Sequence, residues 1–132
     1  MYLLDTNACI RILNNSSTKV VTRYAAESPA TIRLCSIVKA ELFFGARKSS
    51  NTAKVLQSLQ RFFEPLAALP FDDGAAEEYG MIRAELERAG TPIGGNDLLI
   101  AAIGRRHDAT VVTHNVGEFR RVVGLRVEDW ER

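Results

Sequence analysis

The 132-residue chain is 46% hydrophobic, enough for one core and too little for two comfortable ones, so a single domain over residues 1–132 is expected. Seventeen Lys and Arg against sixteen Asp and Glu leave a formal charge of +1, which excludes a whole-molecule field that would gather nucleic acid indiscriminately. Cys9 and Cys35 have neither zinc nor redox spacing and read as buried free thiols. No apolar stretch approaches the ~20 residues of a membrane span, and Tyr2-Leu3-Leu4-Asp5 is no signal peptide, so a soluble, cytoplasmic protein is expected.

Along the chain, the first apolar run is Tyr2 to Leu4, and Asp5 follows it directly. The polar stretch Asn14 to Thr18 reads as a loop. Ile32 to Cys35 is the second run, and Glu41 sits inside the helix after it. Lys48 to Thr52 is again loop-like, and Val55, Leu56, Leu59, Phe62 and Phe63 then form a helical stripe that Pro65 stops. Leu66 to Leu69 is the third run. Tyr79, Ile82, Leu86 and Ala89 form another stripe, capped by Asp72 or Asp73 and ended by Gly90. Gly94-Gly95-Asn96 opens a further helix with Asp97 in its first turn. Thr110 to Thr113 and Leu125 to Val127 complete the pattern, with Asn115 just beyond the fourth run.

Short strands alternating with helices predict an α/β fold whose mostly parallel sheet is covered on both faces, because parallel neighbours need crossover connections. Sites in such sheets lie beyond the carboxyl ends of strands, near a topological switch point. Asp5 and Asn115 then face one crevice, which Glu41 and Asp97 reach from its sides. Several carboxylates converging beside core residues repel one another unless a cation joins them. A hard divalent ion such as Mg²⁺, with Mn²⁺ as a substitute, suits an all-oxygen set of Asp5, Glu41 and Asp97. Such an ion neutralises a phosphate oxygen and activates water, which points to phosphodiester hydrolysis. Each acid also has an ordinary role available: Asp5 and Asp97 at helix N-termini and Glu41 as a surface charge.

Other chemistries fit less well. The Gly90 to Asn96 stretch has no lysine for a nucleotide-binding loop, and Asn7 stands where an aspartyl-phosphate hydrolase would want a second Asp. Leu69-Pro70-Phe71 stands where a receiver domain would carry its acceptor. His107 and His114 are not a helical i, i+4 pair for zinc.

Leu3-Leu4-Asp5-Thr6-Asn7, Ala40-Glu41-Leu42 with Gly45, Asn96-Asp97-Leu98-Leu99-Ile100-Ala101 and Val112-Thr113-His114-Asn115 with Glu118-Phe119 occur in an order that resembles PIN-domain ribonucleases, specifically VapC toxins of VapBC type II toxin-antitoxin pairs. The resemblance spans nearly the whole chain. It implies a PIN-like three-layer fold, with Asp5, Glu41 and Asp97 as metal-binding acids. Thr6 and Asn7 would shape the first turn, and Thr113 and Asn115 would support the pocket. The family often has an acid where Asn115 stands, so Glu118 becomes the candidate fourth carboxylate, assisting through water or a second cation that arrives with substrate. Products with a 5′-phosphate and a 3′-hydroxyl, a homodimer and an inhibitory VapB antitoxin are also implied. Ile82-Arg83-Ala84-Glu85-Leu86, Gly90-Thr91-Pro92-Ile93-Gly94 and Val127-Glu128-Asp129-Trp130 are similar to the enteric VapC group that cuts initiator tRNA in its anticodon loop.

Local basic patches at Arg47-Lys48, Arg105-Arg106-His107 and Arg120-Arg121 are expected to hold RNA phosphates, with solvated helix faces as the alternative. Phe43, Phe44 and Phe62 are either core or a partner surface. The same nuclease acting on mRNA or ribosomal RNA, and a noncatalytic acidic pocket that receives a basic partner segment, are the competing functional readings.

Overall fold

A computed structural model of the chain describes residues 1–132. Five strands, β1 (Tyr2–Leu4), β2 (Ile32–Cys35), β3 (Ala67–Leu69), β4 (Thr110–Val112) and β5 (Arg126–Glu128), form one sheet in the order β3-β2-β1-β4-β5. Every neighbouring pair is parallel. Between them lie α1 (Thr6–Leu13), α2 (Thr18–Ala26), α3 (Ser36–Lys48), α4 (Thr52–Phe63), α5 (Asp73–Arg88), α6 (Gly95–Arg106) and α7 (Val116–Phe119).

Successive strand residues point to opposite faces, yet Leu3 and Leu4, Leu34 and Cys35, and Val111 and Val112 are all essentially inaccessible. Helices therefore cover both faces of the sheet centre, as the unbroken apolar runs require. Only the edge strand β3 exposes its alanines, Ala67 and Ala68.

Strand order decides where the site lies. From β1 the chain builds through β2 to β3, then returns across β1 to lay down β4 and β5 on the other side. The order reverses between β1 and β4, which makes the ends of those two strands the switch point. Leu4 is level with Val112, and the Asp5 amide donates to the Val112 carbonyl at 3.0 Å. Asp5 and Thr113 thus leave the sheet side by side.

Local chemistry sets the helix ends. Asp72, rather than Asp73, caps α5 by accepting from the Ala75 amide at 2.9 Å. Gly90 beyond it takes φ +70°, the left-handed conformation that costs glycine least. Asn51 caps α4, whose last residue is Phe63, two positions before Pro65. In α6 the run from Ile100 to Gly104 is buried, and a side chain at Gly104 would meet Val111 at 2.9 Å. The glycine brings α6 close onto β4, and so fixes the first turn that carries Asp97.

Phe62 is 8% exposed and packs near Tyr24 and Phe63, so it belongs to the core and is removed from the partner-surface set. Phe43 and Phe44 are exposed at 43% and 63%. Cys9 and Cys35 are free and buried, and no helix is long and apolar enough to cross a membrane.

Candidate active site

Asp5 leaves β1 in extended conformation and becomes the N-cap of α1, one of its oxygens accepting from the Ala8 amide at 2.8 Å. The capping role and the acidic role coincide in this residue, because a carboxylate has two oxygens and several lone pairs. Only 4% exposed, Asp5 also hydrogen-bonds with the Thr113 side chain. The Thr113 hydroxyl in turn accepts from the Asn115 amide at 2.9 Å, which holds the turn after β4. Thr6, the first residue of α1, donates its hydroxyl to Glu41 Oε1 at 2.7 Å, so α1 orients an acid that α3 supplies.

Asn115 bridges the remaining two acids. Its side-chain amide donates to Asp97 Oδ2 at 3.0 Å and also to Glu118 Oε2. The other Glu118 oxygen accepts from the Gly94 amide at 3.0 Å. Gly94 is the N-cap of α6 and has no side chain to satisfy the helix start, so Glu118 of α7 does part of that work from outside. Asp97 lies three residues further on. Glu118 and Asn115 together anchor the turn that presents it.

The electrostatics follow from this packing. Burial, chiefly, pushes the Asp5 carboxyl up to about 6 against the hydrogen bonds from Thr113 and Ala8, and the charges of Asp97 and Glu41 push it further. Burial likewise raises Asp97, with Asn115 opposing it and Glu118 and Glu41 adding to it. Glu118 is held below the usual carboxylate range by Asn115 and the Gly94 amide, with Arg121 contributing less. No Lys, Arg or His nitrogen lies within 4.0 Å of a carboxylate oxygen of Asp5, Glu41, Asp97 or Glu118. The set is made of oxygen donors, electrostatically strained, and without a cation of its own. In donor chemistry and charge it fits a hard divalent ion.

A second cluster sits beside it. His114, Asp129 and Glu131 bring their ligand atoms within 4.8 Å of one another, the one such trio in the protein. Here Arg11 and Arg132 pair with Glu131 and Asp129. Asp5, Glu41 and Asp97 do not form such a close trio.

Sequence reasoning placed Thr6 in the first turn of α1 without its bond to Glu41, and Gly94 at the start of α6 without its bond to Glu118. The signal for Gly94 lay in the chain: a glycine N-cap leaves a donor that something must accept. Asn7 is exposed at the rim. Of the basic residues, Arg105 is tied to Glu78 and the Val123 carbonyl, and Arg121 to the Pro92 carbonyl at 2.8 Å. Arg106 reaches Asp72 at 4.0 Å, and Arg120 is exposed with no side-chain hydrogen bond or ion pair. None of these four makes contact with the acids.

Known proteins share this fold. Residues 2–125 match the PIN domain family. The chain belongs to that family. Within the PIN family it is 40% identical to the tRNA(fMet)-specific endonuclease VapC of Salmonella typhimurium strain LT2 over 98% of this chain and 97% of the relative. It is 36% identical to Ribonuclease VapC2 of Rickettsia felis, over all of this chain and 99% of the relative. Among solved structures, DNA-bound VapBC from Salmonella typhimurium superposes with a TM-score of 0.91 at 38% identity, covering 98% of this chain and 97% of that one. VapBC2 from Rickettsia felis bound to a promoter DNA fragment gives 0.90 at 36% identity, covering 98% of each chain. The PIN-like α/β fold expected from the residues is the fold observed.

Proposed function

We propose that the protein is a metal-dependent endoribonuclease toxin that hydrolyses RNA phosphodiester bonds, most favourably in the anticodon loop of initiator tRNA. The observation that carries this reading is the group of four carboxylates at the β1/β4 switch point with no protein cation beside them. The substrate is supported by the tRNA(fMet)-specific name of the Salmonella relative.

A divalent cation, when bound, supplies charge neutralisation at a phosphate oxygen and a more acidic water at neutral pH. Asp5, Glu41 and Asp97 would hold it, Mg²⁺ by preference and Mn²⁺ as a substitute. Thr6 fixes the Glu41 rotamer. Thr113 holds Asp5, and Asn115 holds Asp97 against Glu118, so the three acids meet an incoming phosphate with little reorganisation. Water is the nucleophile. Arg120, exposed just beyond α7 and two residues from Glu118, draws the RNA backbone toward the acidic centre, where an uncompensated negative charge would otherwise repel it, whereas Arg106 lies at the far end of α6.

A VapB-type antitoxin completes the system, with a basic side chain entering the same acidic crevice in place of metal; a homodimer is the working form. The antitoxin reading draws on the VapBC complexes among the structural relatives.

The test is sequencing of RNA ends after incubating the purified protein with total tRNA, with Mg²⁺, with Mn²⁺ and with chelator, beside Asp97→Asn. One metal-dependent cut in an anticodon loop, absent from the variant, is the expected outcome. Cuts confined to added mRNA or ribosomal RNA would change the substrate, and no cut in any RNA would leave a noncatalytic acidic pocket.

A further inference from the structure

The acidic crevice continues along α3 past Glu41. A groove there is lined by Ile10, Ile37 and Ala40 together with Asn7 and Asn96. Phe44 lines the same groove and is 63% exposed, a large apolar ring left in water beside a charged site. Its neighbour Phe43 is already engaged, edge-on to Phe63 with ring centres 5.5 Å apart. Phe44 has no aromatic partner. The Lys48 ammonium lies 5.5 Å from its ring centre.

Helix geometry explains why these residues act together. Glu41, Phe44 and Lys48 are at i, i+3 and i+7 of α3 and share one stripe. A rise of about 1.5 Å per residue sets the ring about 4.5 Å and the lysine about 10 Å beyond the acid along the axis. An acid, an exposed ring and a cation thus follow one another away from the site. Single-stranded nucleic acid offers the matching sequence of scissile phosphate, flat base and next phosphate. The groove is mixed: Ile10, Ile37 and Ala40 offer apolar contact to a flat base, and Glu41, Lys48 and the two asparagines offer partners for base edges and phosphate that a purely apolar protein surface would leave unused.

We propose that Phe44 is the stacking platform for an unpaired base next to the scissile phosphate, with Lys48 holding a neighbouring phosphate. The inference rests on the nuclease reading and deepens it: the groove selects RNA whose base is already out of a helix. Duplex RNA keeps its bases stacked on each other and cannot use the ring.

Binding is measured in chelator, so no cleavage is needed, with a single-stranded oligoribonucleotide carrying 2-aminopurine and with the same sequence as a duplex. Wild-type protein should quench the single strand. Phe44→Leu, apolar but without a ring face, should weaken single-strand binding about 5- to 150-fold and leave duplex binding unchanged, while Phe44→Trp should retain both affinity and quenching. Lys48→Ala should lower the salt slope by about one. Equal single-strand affinity for wild type and Phe44→Leu overturns the proposal, and an accompanying loss of dimer by light scattering would assign the ring to a protein interface instead. Cleavage of the same RNA by wild type, with Mg²⁺, is followed in parallel. Persisting cleavage with no effect of Phe44→Leu sinks the stacking platform alone, whereas no metal-dependent cleavage by wild type sinks the nuclease reading together with it.

Discussion

Two acidic clusters flank the turn that follows β4, and they are neutralised in opposite ways. Asp129 and Glu131 pair with Arg132 and Arg11, so the protein supplies their counter-charges, and with the His114 ring they fasten the C-terminal residues to α1 and to the turn after β4. Asp5, Glu41, Asp97 and Glu118 have neutral donors only: hydroxyls, an amide side chain and backbone N–H groups. Neutral donors orient a carboxylate without cancelling its charge. A cluster left charged and strained in the folded state is stabilised by a cation from outside, whereas one paired within the chain has little to gain. Under the proposed function, the comparison separates a cation-binding cluster from a structural one, although both are built around Asp and Glu.

The largest effect that would break this contrast belongs to the unpaired cluster. Asp97→Asn should cut the rate of RNA cleavage by about 10²-fold or more while leaving the far-ultraviolet circular dichroism unchanged, since a charge is lost but not a shape. Next, Asn115→Ala removes the donor to both Asp97 and Glu118 and should weaken divalent-cation affinity about 10- to 100-fold, read by calorimetric titration of Mn²⁺.

Stability against pH gives a third measure. The Asp5 carboxyl sits at about 6 in the fold against an ordinary 3.8, so folding favours its protonated form. That stabilisation is fully present below pH 3.8 and is lost as pH rises through about 6, and for Asp5 it is on the order of 3 kcal/mol. Asp97 shifts in the same direction, and Glu118 in the opposite one. Asp5→Asn, which keeps an oxygen for the Ala8 amide, should therefore raise the metal-free melting temperature at pH 7 and flatten its pH dependence between 4 and 7. Added Mg²⁺ should stabilise the wild type at pH 7 and leave this variant nearly unmoved.

The smallest effect is expected in the paired cluster. His114→Gln exchanges an exposed partner of Asp129 and should alter stability by no more than about 1 kcal/mol, with cleavage within about twofold of wild type. A large loss of cleavage in that variant would erase the distinction between the two clusters.

Much of this was legible in the chain because its signals are local. Each of the five apolar runs predicted a strand within one residue of its observed ends, and the three central strands, buried on both faces, need consecutive apolar residues. Pro65 and Gly90 stand just beyond two helix ends for reasons of backbone geometry alone. Thr113 lies just past the strand although its amide still donates to the Glu128 carbonyl, and its hydroxyl holds the turn at Asn115. Phe62 and Phe44 looked alike in sequence, both aromatic on helices, and only packing sent one inward and the other into water.

By itself the sequence determined the α/β alternation, the positions of the acids at the edges of apolar runs and the family pattern they make, because propensity, periodicity and motif order are properties of neighbouring residues. Tertiary structure alone decided that strand order reverses between β1 and β4, that Thr6 orients Glu41 across 35 positions of chain, and that Asn115 ties Asp97 to Glu118. It alone showed which acidic cluster the protein neutralises for itself. Charge balance at a site depends on distances between residues far apart in sequence, and only the folded chain sets those distances.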